Sequence, residues 1–139
     1  MANVLVAVGE AADPTPDPKP DWAGIFATEL SAPDNALTVY ATTAQQDGRE
    51  MVTGAGLHHE GIMIRVRGVT SRICYAKAQS VWHTLNESIY QRVVTIDAVP
   101  YLVWGFSKVK KPNELGKESP SSARFLATIN ALVSLRALA

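Results

Sequence analysis

Few residues in this chain have a capacity for chemistry, and their spacing denies it to most of them. Cys74 and His83 supply a thiol and a general base, but they stand nine residues apart in one helical stretch. That is about 13 Å along the axis, beyond any hydrogen bond. His58 and His59 are adjacent, so at the head of a strand they point to opposite faces, and neither a cysteine nor a third histidine accompanies them to make a metal set. The carboxylates of Asp13, Asp17 and Asp21 lie in a proline-rich connector, too loosely fixed to work as an acid–base pair. Gly54-Ala55-Gly56 is no dinucleotide fingerprint, because no strand leads directly into it and no helix follows. The sequence holds no G-x-S-x-G elbow, P-loop, H-E-x-x-H or paired cysteines. The expectation is a protein without catalysis and without an obligatory cofactor or metal. His83 then reads as a structural histidine and Cys74 as a packed helix thiol.

The elements that would position these groups centre on residues 61–91, where the hydrophobic period changes once. Ile62, Ile64 and Val66 alternate with Met63, Arg65 and Arg67, which predicts a strand near 62–67 with a charged outer face. Beyond Gly68, Tyr75, Ala78, Trp82, Leu85 and Ile89 recur at three and four, predicting a helix over about 71–91 with that stripe inward. Trp82 should be mostly buried. Leu37, Val39 and Ala41 predict a further strand near 36–42, after a turn at 31–35. The runs 93–98 and 101–108, separated by Pro100, read as two short strands or as one interrupted at an edge, and the alternation from Phe125 to Leu135 predicts a strand near 125–135. Together these give an α+β fold: a mainly antiparallel sheet of four to five strands with one main helix packed on one face.

The rest of the chain connects these pieces. Prolines at 14, 16, 18 and 20 hold 12–20 as a stiff connector, and the apolar run Asn3–Val8 leans towards helix. Residues 43–61, with glycines at 48, 54, 56 and 61, read as a long loop or an extended hairpin arm. The polar run 108–124 reads as a mobile loop.

At 139 residues the chain is the size of one domain, able to bury a core without staples. Its 13 basic residues balance 13 acidic ones, so no global field draws it to nucleic acid or to an anionic membrane. The cluster Lys108, Lys110 and Lys111 is partly offset by Glu114 and Glu118 and reads as a solvated loop. A single cysteine excludes an internal disulfide. MANVLVAVGE lacks the basic start of a signal peptide, and no apolar run approaches the ~20 residues of a membrane span, so the expectation is a soluble, unexported protein.

Several fragments taken in order carry a resemblance: APDNALTVYAT at 32–42, DGREM at 47–51, GIMIRVRG at 61–68 followed by a helix, then Pro112, Leu115-Gly116, Arg124-Phe125 and Asn130. They resemble the tail terminator proteins of long-tailed bacteriophages, also called minor capsid or tail-completion proteins. That family has a P-D-N strand before a loop, a V-x-I-x-V-R-G-like strand leading into a helix, and a P-x-x-L-G loop before an R-x-x-F/Y-x-x-N strand. The chain departs from it in a reduced N-terminal helix and in a longer, serine-rich stretch between Gly116 and Arg124.

The resemblance implies a virion subunit of the tail and head–tail junction, present in the host cytoplasm during assembly. It would form a ring with its own copies, of six-fold symmetry, that caps the tail tube and joins it to the head connector or stopper protein. Phage-derived gene transfer agents would use a similar part. DNA would pass through the lumen without sequence-specific contact, and no membrane is involved. The expected assembly interface draws on the two long loops and the outer strand face: Asp47, Arg49, Glu50, Arg65, Arg67, Lys108, Lys110, Lys111, Glu114 and Arg124. The competing class is a small ligand-binding domain or enzyme with an unrecognised pocket.

Overall fold

Two antiparallel strands of 13 residues each, Gly56–Gly68 and Phe125–Ala137, form the spine of the fold. The computed structural model describes residues 11–13, 15, 20–27, 34–42, 45–49, 56–87, 91–96, 98–107 and 109–138, with the backbone alone for 45–49, 56–58, 96 and 137. In chain order the elements are β1 (Ala23–Phe26), β2 (Ala36–Ala41), β3 (Gln45–Arg49), β4 (Gly56–Gly68), α1 (Ser71–Glu87), β5 (Arg92–Ile96), β6 (Val99–Ser107), β7 (Asn113–Lys117) and β8 (Phe125–Ala137). The fold is α+β, one eight-stranded sheet with the helix packed on it.

The spine explains the strand order β1-β2-β4-β8-β6-β5. Each long strand outruns any single partner on its outer side and takes two in succession. β4 is flanked by β2 along Ile62–Arg67 and then by β3 along Gly56–His59, with Thr42 N donating to Gly61 O (2.7 Å) at the join. β8 is flanked by β6 along Leu132–Ala137 and by β7 along Phe125–Thr128, with Lys110 N donating to Asn130 O (3.1 Å) at that join. All these pairs are antiparallel. Only β1, which pairs β2 in parallel, makes the sheet mixed.

Register fixes the faces. Ile62, Ile64 and Val66 pair with Ala131, Ile129 and Ala127, and with Ala41, Val39 and Leu37, so the alternating apolar sets of three strands share one face. The helix covers that face with Cys74, Ala78, Val81 and Leu85, all buried. The stripe is thus turned by about one position from the predicted one. Ala78 and Leu85 belong to both stripes and Trp82, packed at the flank, is mostly buried as expected, but Tyr75 is 40% exposed. At the helix start β4 runs hard against the helix: a Cβ on Gly68 would lie 2.8 Å from the Cys74 backbone, so residue 68 has no room for a side chain.

Other expectations are corrected. The helix ends at Glu87, short of residue 91, where Gln91 takes a left-handed backbone (φ 48°) and its N donates to Trp104 O (3.2 Å) to begin β5. Among the described residues eight strands replace four to five, because β1 and β7 were not expected as strands and β3 only under the hairpin-arm reading. For residues 45–49 and 56–61 the second of the two readings holds, an extended hairpin arm. Within 108–124, Asn113–Lys117 is a strand and not a mobile loop. The run 93–108 divides at a tight turn, with Ala98 at φ 64°, and Pro100 lies inside β6 paired with Thr95. The expected helix at 3–8 lies outside the described residues. Of the connector, Ala12 bridges Ala23 in parallel, and Ala12 N donates to Trp22 O (2.7 Å).

Candidate assembly site

Three of the motifs that carry the resemblance, P-D-N, R-V-R-G and R-F, meet at one end of the sheet. Asp34 and Asn35 stand before β2, Arg67 and Gly68 close β4, Glu118 follows β7, and Arg124 and Phe125 open β8. Arg124 Nε reaches Asp34 Oδ1 at 2.9 Å, between residues 90 apart in sequence. Arg67 Nε donates to Asp34 O (3.3 Å), and its Nη1 lies 3.8 Å from Glu118 Oε1. Glu118 Oε2 is 3.7 Å from Arg124 Nη1, and Glu118 N donates to Arg124 O (2.8 Å), closing the serine-rich turn at its two ends. Asn35 completes the joint: its Oδ1 accepts from Val69 N (3.0 Å), its carbonyl accepts from Trp22 N (2.9 Å), and its Nδ2 donates to Asp21 Oδ2 (3.3 Å).

The electrostatics give this joint its weight. The Arg67 side chain is only 6% exposed, so its charge has left water and must be met by the protein. Glu118, 31% exposed, and the Asp34 carbonyl meet it from two other segments. Arg67 was expected on a solvated outer face, ready for a neighbour's acid. It is instead engaged within the chain, because the turn after β7 folds over it. Sequence reasoning missed Asp34 and Glu118 as ion partners; the P-D-N motif was the available signal.

The structure does not gather all the expected interface residues onto one surface. Arg67 and Arg124 belong to the joint. Arg65 lies on the same strand face, its guanidinium 5.5 Å from the Tyr40 ring. Lys110 and Lys111 are exposed beside the helix, with Lys111 Nζ 6.0 Å from the Trp82 ring. Glu114 is exposed on β7 and faces Cys74. Asp47 and Arg49 belong to β3, on the distal arm, while Glu50 and Lys108 lie outside the described residues.

The groups considered for chemistry are held in structural roles. Cys74 Sγ donates to Val66 O (3.4 Å), and burial, with the nearby Glu114 charge, pushes its thiol from 9.0 up to about 11. A thiol so held is a poor nucleophile. His83 packs tilted on Trp82, ring centroids 4.9 Å apart, with Nδ1 3.8 Å from Glu87 Oε1. His59 Nδ1 lies 2.7 Å from Ser134 Oγ across the β4–β8 pair. Among the described residues no group of three or more His, Cys, Asp or Glu is placed to hold a metal ion, and no helix is long and apolar enough to cross a membrane. A cavity of about 380 Å³ lies between the helix start and β7, lined by Ser71, Cys74, Glu114, Leu115, Gly116, Phe125 and Leu126.

No protein-family model matches the sequence, and no curated protein matches it. Solved structures do match. One is a chain of a structure described as the virion of a native gene transfer agent particle; it is 13% identical, and the overlay covers 81% of this chain and 77% of that one with a TM-score of 0.39.

Proposed function

We propose that this chain is a structural virion protein, a tail terminator subunit that assembles with its own copies into a ring, caps the tail tube and joins it to the head connector. The observation that carries the reading is the convergence of three of the resemblance motifs. P-D-N, R-V-R-G and R-F come from three distant parts of the sequence, yet Asp34, Arg67 and Arg124 meet in one ion-paired joint with Glu118. Motifs scattered by chance have no reason to share a joint. A ring subunit also needs a rigid centre with different surfaces on its two flanks. The spine of β4 and β8 supplies the first, and the distal arm and the β7 side supply the second. On this reading the exposed Lys110, Lys111 and Glu114, with Asp47 and Arg49 on the arm, contact neighbouring copies or the tube. Arg67 and Arg124 hold the subunit in shape.

The test is the mass of the purified chain in solution, alone and mixed with tail tubes that lack a terminator, with electron microscopy of the same samples. Rings, or densities capping tube ends, are the expected result. A chain that stays monomeric in both samples and carries a small metabolite in the cavity beside Cys74 overturns the reading in favour of a ligand-binding domain.

A further inference from the structure

We infer that β7 and the turn that follows it form a strap that opens as a local unit, uncovering Cys74 and the edge of β8 at Phe125–Thr128 while the rest of the sheet stays folded. Three observations carry this. Every side chain of β7 is exposed, Leu115 to 48%, so the strand gains almost nothing from apolar burial. Its ladder with β8 is short and interrupted, for the register shifts between Glu114 and Gly116, and Gly116 sits at a left-handed φ of 80°. And the cavity of about 380 Å³ stands between the strap and the helix start, so the two do not close-pack. Ion pairs hold the far end, from Glu118 to Arg67 at 3.8 Å and to Arg124 at 3.7 Å. A segment with exposed backbone pairing and little buried apolar contact opens at a lower free energy than the global fold. The core beneath does not depend on it: Ile129, Ile64, Val66 and Leu85 are fully buried among other elements. The inference is independent of the proposed assembly role.

Cys74, the single cysteine, is only 2% exposed and lines the cavity under the strap, which makes it a built-in reporter. The experiment is the rate of iodoacetamide labelling of the native protein, followed by mass spectrometry across low urea concentrations. A strap opening predicts slow labelling that depends only weakly on urea. It also predicts an increase of about five- to tenfold in Glu118→Gln, and a smaller increase in wild type at high salt that this variant lacks. Leu85→Ala, which weakens the core but touches no strap contact, should leave the low-urea rate unchanged. Labelling that follows the full urea dependence of global unfolding overturns the inference. So does labelling at the rate of a free thiol, which would mean that Cys74 needs no opening, or a Glu118→Gln rate equal to wild type.

Discussion

Arg67 and Glu118 meet at 3.8 Å across the end of the sheet, a buried cation on the last turn of β4 answered by a carboxylate just past β7. The pairing ties the central strand to the segment that follows the edge strand β7, so much of the behaviour of this end of the molecule follows from it. Removing one partner leaves the other charge poorly met. Glu118→Gln is expected to lower stability by about 1 to 2 kcal/mol, the partial exposure of Glu118 limiting the loss. Urea denaturation measures it, and a variant as stable as wild type would mean that the other contacts of Arg67 satisfy its charge without Glu118.

The Gly68–Cys74 approach should be equally sensitive. A Cβ at residue 68 would meet backbone atoms of Cys74 at 2.8 Å, and backbone does not swing aside as a flexible side chain would. Gly68→Ala is expected to lower stability by roughly 1 to 3 kcal/mol by prising the helix from β4. Thermal unfolding followed by circular dichroism checks this, with an unchanged Tm as the contrary outcome.

Helix substitutions should rank by the observed stripe. Leu85→Ala removes a fully buried side chain and is expected to cost about 2 to 5 kcal/mol, whereas Tyr75→Ala, at a position 40% exposed, should cost well under half of that. Trp82→Ala should fall between the two, since the indole packs on the core only in part. If Tyr75→Ala proves the most damaging of the three, the helix is rotated from the position described.

Alkaline pH should destabilise the fold through Cys74. Its thiol is raised from 9.0 to about 11 by burial and by Glu114, so the folded state favours the protonated form. The stabilisation is fully present below pH 9. It fades as pH rises towards 11, because the unfolded chain ionises first and releases a proton that the folded chain retains. Urea midpoints at pH 8 and pH 10.5 should therefore fall further for wild type than for Cys74→Ala, and equal falls would rule the linkage out.

Charge reversal at Lys110 and Lys111 separates assembly from folding. Both side chains are exposed, so Lys110→Glu with Lys111→Glu should change stability by no more than about 1 kcal/mol, mostly through the lost Lys111–Trp82 contact. If these lysines meet neighbours or the tube, ring formation or tube capping should fail in the same sample. Assembly at wild-type yield would move the interface to the arm or the sheet faces.

Shortening 113–121 would do more than trim a loop. The cut removes β7 and Glu118 together, and with them the partner of Arg67. The variant should lose stability as well as assembly, so only the side-chain variants above separate the two.

What the sequence determined by itself were the elements whose periodicity is their own. β2, β4 and β8 alternate because each turns its larger apolar residues to the helix face, and α1 repeats at three and four because it lies on that same face; these signals are local and survive without knowledge of partners. β1, β3 and β7 left no such mark. NELGK exposes every side chain and is a strand only because β8 runs past the end of β6 and offers it backbone groups to pair. QQDGR pairs likewise with the overhang of β4, and AGIF with the outer edge of β2. The joint follows the same division. P-D-N, R-V-R-G and R-F were legible as motifs, but the sequence placed Arg67 on a solvated face. Only tertiary structure, by folding the turn at Glu118 across the end of the sheet, made it a buried charge with its partner 3.8 Å away.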